Sequence, residues 1–92
     1  MKRTSNSDCR NFVEEKVAFK ANNIFSEWRD GKYVVYSYGK HFPMYIYKTG
    51  KWYENSDKYS RSTSKQQTQA RPFNFDLIHK TTREMQEIIF TD

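Results

Sequence analysis

Residues Tyr33-Val34-Val35-Tyr36-Ser37-Tyr38 form a run of β-branched and aromatic side chains with almost no helix-favouring member, opened by the turn dipeptide Asp30-Gly31. Side chains of this kind lose rotamer freedom against a helical turn but pack well on a pleated surface, so the run predicts a strand. Gly39-Lys40 marks the next turn. Pro43 lacks the amide hydrogen a ladder needs and suits only a strand start or edge, which places the following strand at Met44-Tyr45-Ile46-Tyr47. Thr49-Gly50 turns the chain again ahead of Lys51-Trp52-Tyr53. Turn signals at this regular spacing predict an antiparallel meander.

The flanks are less patterned. Residues 1–7 are polar and expected to fray. Ser7 or Asp8 can cap a short helix carrying Phe12, Val13 and Val17, and part of Phe19–Trp28 reads as a first strand interrupted by Asn22-Asn23. Between Asn55 and Arg71 there is no Val, Ile, Leu, Met or Phe, and Tyr59 is the one large apolar side chain, so this stretch cannot build core alone. Ser62 or Thr63 can cap a short helix through Gln69, ended by Pro72. Asp76 is a good N-cap ahead of Leu77, Ile78, Met85, Ile88 and Ile89, which predicts a helix over 76–90 covering the sheet. The expected fold class is α+β: a three- or four-stranded antiparallel β-meander with a C-terminal helix packed on one face. It forms a single domain over residues 8–92.

Several function classes have little support. No apolar run approaches the ~20 residues that cross a bilayer, and the charged start has no apolar segment behind it, so neither membrane nor secretion is expected. A single cysteine, Cys9, predicts a reducing, cytoplasmic setting and reads as a passive thiol in a polar N-terminus. His41 and His79 are the only histidines, too few with one cysteine for a closed zinc site. Each of the three glycines is accounted for by a turn, leaving no phosphate-binding glycine loop. No cofactor, metal or catalytic set is expected, and the chain reads as a binding protein rather than an enzyme. A nuclease built on one histidine with nearby Lys and Tyr is the weaker alternative, because general acid–base catalysis usually recruits more groups.

Charge and aromatics converge on the middle of the chain. Residues 38–71 hold seven basic side chains (Lys40, Lys48, Lys51, Lys58, Arg61, Lys65, Arg71) against two acidic ones, Glu54 and Asp57, and this excess equals the net charge of +5 on the whole protein. Half of the aromatic residues lie between Tyr33 and Tyr53. Strand alternation puts Tyr36 and Tyr38 opposite Tyr33, and Tyr45 and Tyr47 opposite Met44 and Ile46. One set makes core; the other is available to a partner or to a covering helix. Exposed rings interleaved with cations suit unpaired bases, which stack while their phosphates are neutralised. The expected nucleic-acid contacts are therefore Tyr38, Lys40, His41, Lys48, Lys51, Trp52, Lys58, Tyr59, Arg61, Lys65 and Arg71, with RNA or single strands favoured as the ligand. The alternative is a protein-directed inhibitor that binds an acidic surface of a host protein without nucleic acid; a ribonucleoprotein is a further candidate partner, and an exposed strand edge leaves a homodimer open.

The segment Tyr36-Ser37-Tyr38-Gly39-Lys40-His41-Phe42-Pro43 is followed by Trp52, Asn55, Asp57, Tyr59-Ser60, Thr63-Ser64-Lys65, Gln69 and Arg71-Pro72. Together these resemble a small, poorly characterised domain family carried by phages, plasmids and their hosts. The resemblance covers about residues 33–72. In that family a histidine follows the Ser-Lys pair, where this chain has Gln66. The resemblance implies a phage or mobile-element accessory protein acting in the host cytoplasm, and by analogy one that counters a host defence or toxin system.

Overall fold

The computed structural model of the chain describes residues 2–57, 61–72 and 76–90, with the side chains of residue 41 and residues 61–64 outside that description. In chain order run β1 (Lys2–Arg3), a single 3-10 turn (Asn6–Asp8), α1 (Arg10–Glu15), β2 (Phe19–Lys20), β3 (Ile24–Arg29), β4 (Lys32–Ser37), β5 (Gly39–Lys48), β6 (Lys51–Asn55), α2 (Arg61–Ala70), β7 (Leu77–Lys80) and α3 (Thr82–Phe90). The strands form one seven-stranded sheet in sequential order. It is mixed, because β1 pairs with β2 and β6 with β7 in parallel, whereas the inner pairs are antiparallel.

This corrects the expected three- or four-stranded antiparallel meander under one helix. The inner β3–β6 ribbon matches the expected meander, and its Asp30-Gly31 and Thr49-Gly50 turns take positive φ at both residues, the geometry whose twist matches the strands it joins. The additions are at the edges. Lys2–Arg3, within the stretch expected to fray, pair with Phe19–Lys20, and the Thr4 amide donates to Lys20 O at 3.0 Å. At the other edge Leu77–Lys80, expected as the first turn of a helix, pair with Trp52–Asn55.

Both parallel pairs need a crossover, and helices supply them. Four antiparallel steps separate β2 from β6, so β6 runs in the same direction as β1. Cys9 and Val13 from the α1 region and Ala70 from α2 pack into one cluster with Phe19, Tyr33, Val35, Tyr45 and Trp52. The two crossovers therefore pass over one face and share one hand, as the strong preference for right-handed βαβ units requires. On the opposite face α3 buries Met85 and Ile89 against Val34, Tyr36 and Ile46. The sheet is thus covered on both faces, which explains why β4 is buried at every position. Within β4 the expected alternation holds, with Tyr33 and Tyr36 in different clusters.

Pro43 lies inside β5 rather than at its start. Tyr36 pairs with Pro43 and Val35 with Tyr45, so the ladder slips at the proline and its missing donor falls at a bulge. The slip also places Met44 in the cluster of Tyr45 instead of opposite it.

Helix α3 begins with a reciprocal cap that the sequence contains as Thr81-x-x-Glu84. The Glu84 amide donates to Thr81 Oγ1 at 3.2 Å, and the Thr81 amide donates to Glu84 Oε1 at 2.9 Å. These bonds hold the Glu84 carboxyl below its usual range. Because that pKa is depressed by folding, the contribution is fully present above the ordinary carboxylate range and is lost as pH falls below that range through the lower folded-state pKa. A Thr81→Ala change is expected to cost about 1 kcal/mol, read as a small drop in the urea midpoint without a change in slope. At the other end of α3 the buried Lys32 ammonium donates to Ile89 O at 3.1 Å, satisfying a terminal carbonyl at the negative end of the helix. Among the described residues no helix is long and apolar enough to cross a membrane.

Candidate nucleic-acid interface

The link between β4 and β5 is a single residue, Tyr38, between the paired Ser37 and Gly39. Closing so tight a link puts Tyr38 at φ 63°, a left-handed conformation that bulky residues seldom adopt. Its amide is tied to Asn23 O at 2.8 Å. The ring is not buried in exchange: the residue stays 51% exposed.

Two grooves meet at this ring. One, of about 480 Å³, is bounded by Lys20, Asn22, Asn23 and Phe25, with Tyr38 at its rim. The other, of about 190 Å³, lies between Tyr38, Asn6 and Asn23 on one side and Lys65, Gln66 and Gln69 of α2 on the other. Ser37 Oγ donates to Gln66 Oε1, which fixes α2 to the end of β4. The result is an aromatic ledge with amide side chains around it and a lysine in each groove. Amides carry both donors and acceptors and match the edges of nucleobases, while the ring offers a stacking face.

Of the residues expected to contact nucleic acid, Tyr38 and Lys65 come together here. The others divide. Lys40 pairs with Glu27 at 3.4 Å, and Glu27 also accepts from the Tyr36 hydroxyl at 2.9 Å. Lys48 and Lys51 face each other across the β5–β6 hairpin, at the far end of β5 from Tyr38. Trp52 is core, with 2% of its surface exposed, so its expected role as a contact is corrected: it points to the face that α1 and α2 cover. The side chains of His41 and Arg61, together with Lys58 and Tyr59, lie outside the described residues. Sequence reading missed Lys20, Asn6, Asn23 and Gln69. Asn22-Asn23 registers in a sequence only as an interruption, although it is the segment that meets Tyr38.

Arg71, expected on phosphate, is held by Glu54 while half of its side chain stays exposed. Its Nε and Nη2 donate to Glu54 Oε2 at 3.0 and 2.7 Å. The same oxygen accepts from the Tyr45 hydroxyl at 2.8 Å, and Oε1 meets His79 Nε2 at 2.9 Å. Burial first, and then the Glu54 charge, push the Tyr45 phenol well above its ordinary range, so it stays a donor. A cleft of about 210 Å³ opens beside these groups.

Cys9 is buried rather than placed in a mobile terminus, and burial pushes its thiol up to about 11. It is therefore protonated at neutral pH and packs as a small apolar side chain. No protein-family model matches the chain, and neither does any curated protein or solved structure.

Proposed function

We propose that the chain binds single-stranded nucleic acid, RNA above all, on the Tyr38 ledge. One observation carries the reading: a half-exposed aromatic ring held at positive φ between two amide-lined grooves, each with a lysine. A bulky residue in that backbone region costs of order 1–3 kcal/mol and persists where the surroundings over-determine it, often at a binding site. No core burial accounts for this ring. Stacking a base does, and it leaves the lysines for flanking phosphates. In the accessory role that the sequence resemblance implies, the target is an RNA of the host or of a toxin system.

The test is fluorescence anisotropy with a labelled single-stranded RNA across a salt series. Log affinity is expected to fall linearly with log salt, and Lys20→Ala and Lys65→Ala should each reduce the slope by about 0.7. Duplex DNA should bind more weakly, because its bases are already stacked. Absence of binding at low salt, or binding indifferent to salt, would reject the reading. It would point instead to an acidic protein surface, for which a pull-down that survives nuclease treatment is the positive result.

A further inference from the structure

The cleft beside Glu54 is set apart from the Tyr38 ledge by α2, whose Gln66 lines one and whose neighbour Gln67 lines the other. Glu54 is buried, at 3% exposure. Its two cationic partners are not, since the Arg71 and His79 side chains are 50% and 63% exposed. An ion pair whose cation stays in water contributes little to stability. Here one buried carboxylate, further fixed by the Tyr45 hydroxyl, aims two exposed groups at a shared opening. Glu54 holds His79 through Nε2, which leaves Nδ1 as the nitrogen for a ligand. A carboxylate that orients an imidazole through one ring nitrogen is the arrangement of a general base. The guanidinium beside it suits a phosphate.

We propose that this cleft cleaves RNA by internal transfer at a phosphodiester, with His79 as base and Arg71 on the phosphate. His79 Nδ1 takes the proton of the ribose 2′-hydroxyl, and the 2′-oxygen forms a bond to phosphorus. The bond from phosphorus to the 5′-oxygen breaks, and that oxygen takes a proton from water. The products are a 2′,3′-cyclic phosphate and a 5′-hydroxyl, and His79 returns its proton to solvent. Arg71 neutralises charge as it builds on the phosphoryl oxygens. Glu54 is a positioning residue. The inference rests on the RNA-binding reading for delivery of the strand. β7 lies three strand spacings from β4, about 14 Å at ~4.8 Å each, and His79 is level with Val35, about 10 Å along the strand from Tyr38; the ~17 Å between them is roughly five stacked nucleotides at ~3.4 Å.

The experiment incubates end-labelled single-stranded RNA with the full chain and with His79→Ala and Tyr38→Asn variants purified in the same way. A parallel substrate carries a single 2′-deoxy position at the mapped cut. The expected result is cyclic-phosphate and 5′-hydroxyl ends, no cut at the 2′-deoxy position, and a rate that His79→Ala lowers by roughly 10²–10⁴-fold. Added imidazole should restore part of that rate, which a merely structural histidine would not allow. His79→Ala removes the partner of buried Glu54 Oε1 and should lower the thermal midpoint somewhat, so recovery of rate with imidazole, not the midpoint, separates the two roles. RNA bound but left intact would overturn the cleavage inference and leave the binding reading standing. RNA neither bound nor cut would overturn both. Cleavage indifferent to Tyr38→Asn would support the cleft and remove the ledge, whereas equal cleavage by wild type and His79→Ala would overturn the assignment of His79.

Discussion

Trp52→Ala should cost about 3–5 kcal/mol and show itself as lost stability rather than as a failure to bind. The ring lies on the face that α1 and α2 cover, 6.3 Å from the Tyr33 ring and 5.3 Å from that of Tyr47. Tyr33 in turn donates its hydroxyl to Val17 O at 2.8 Å and accepts from Ser26 Oγ at 2.9 Å, so the cavity would undercut the segment that ties α1 to the sheet. Neighbours held by hydrogen bonds relax poorly into a void, which places the change toward the upper part of that range. A domain of this size has about 5–15 kcal/mol in total. At ~4–8 °C per kcal/mol the thermal midpoint should fall by tens of degrees. Calorimetry or a urea melt decides it. A variant with a wild-type midpoint and weakened RNA binding would return Trp52 to the surface role that its neighbourhood of lysines suggests in the sequence.

Tyr38→Asn should do the opposite. It removes the ring but supplies a residue that tolerates positive φ, so backbone strain is relieved while the stacking face disappears. Stacking is worth roughly 1–3 kcal/mol per base, so affinity for single-stranded RNA should drop by about 5- to 150-fold at constant salt. The midpoint of thermal unfolding should hold or rise. Tyr38→Phe should bind nearly as well as wild type, because the ring face is what a base uses. A Tyr38→Asn protein that keeps full affinity would remove Tyr38 from the interface. One that loses both affinity and stability would make its role structural.

The inner ribbon was legible because its signals are local. The Tyr33–Ser37 part of the aromatic run and the Asp30-Gly31 and Thr49-Gly50 turns each specify their own conformation within a few residues, whereas Tyr38 leaves the strand as a left-handed link. The edges were not. A two-residue strand such as Lys2–Arg3 has no periodicity to read, and its existence depends on a partner some seventeen positions away. Leu77–Lys80 carries the spacing of a helix start, with Asp76 in front, yet pairing with Trp52–Asn55 outweighs that local preference and moves the cap to Thr81.

The candidate sites divide in the same way. Tyr38 and Lys65 could be singled out as residue types, but not their meeting, which depends on α2 crossing the end of β4. The Glu54 group was invisible because its members come from β5, β6, β7 and the end of α2. Counting charge along the chain treats Arg71 as a free cation, whereas a buried carboxylate holds it in the fold.

The two outermost strands also bear on how copies of the protein meet. The sheet ends on Lys2–Arg3 at one side and on Leu77–Lys80 at the other. A strand edge is a template for another chain, and short, positively charged edges are a known guard against that. A second copy joining antiparallel at β1 would set Lys2 and Arg3 against Lys2 and Arg3. That like-charge pairing opposes fibre growth at the first strand of a sheet with much aromatic surface at its centre. The positive charge on that edge sets like against like whenever two copies meet there.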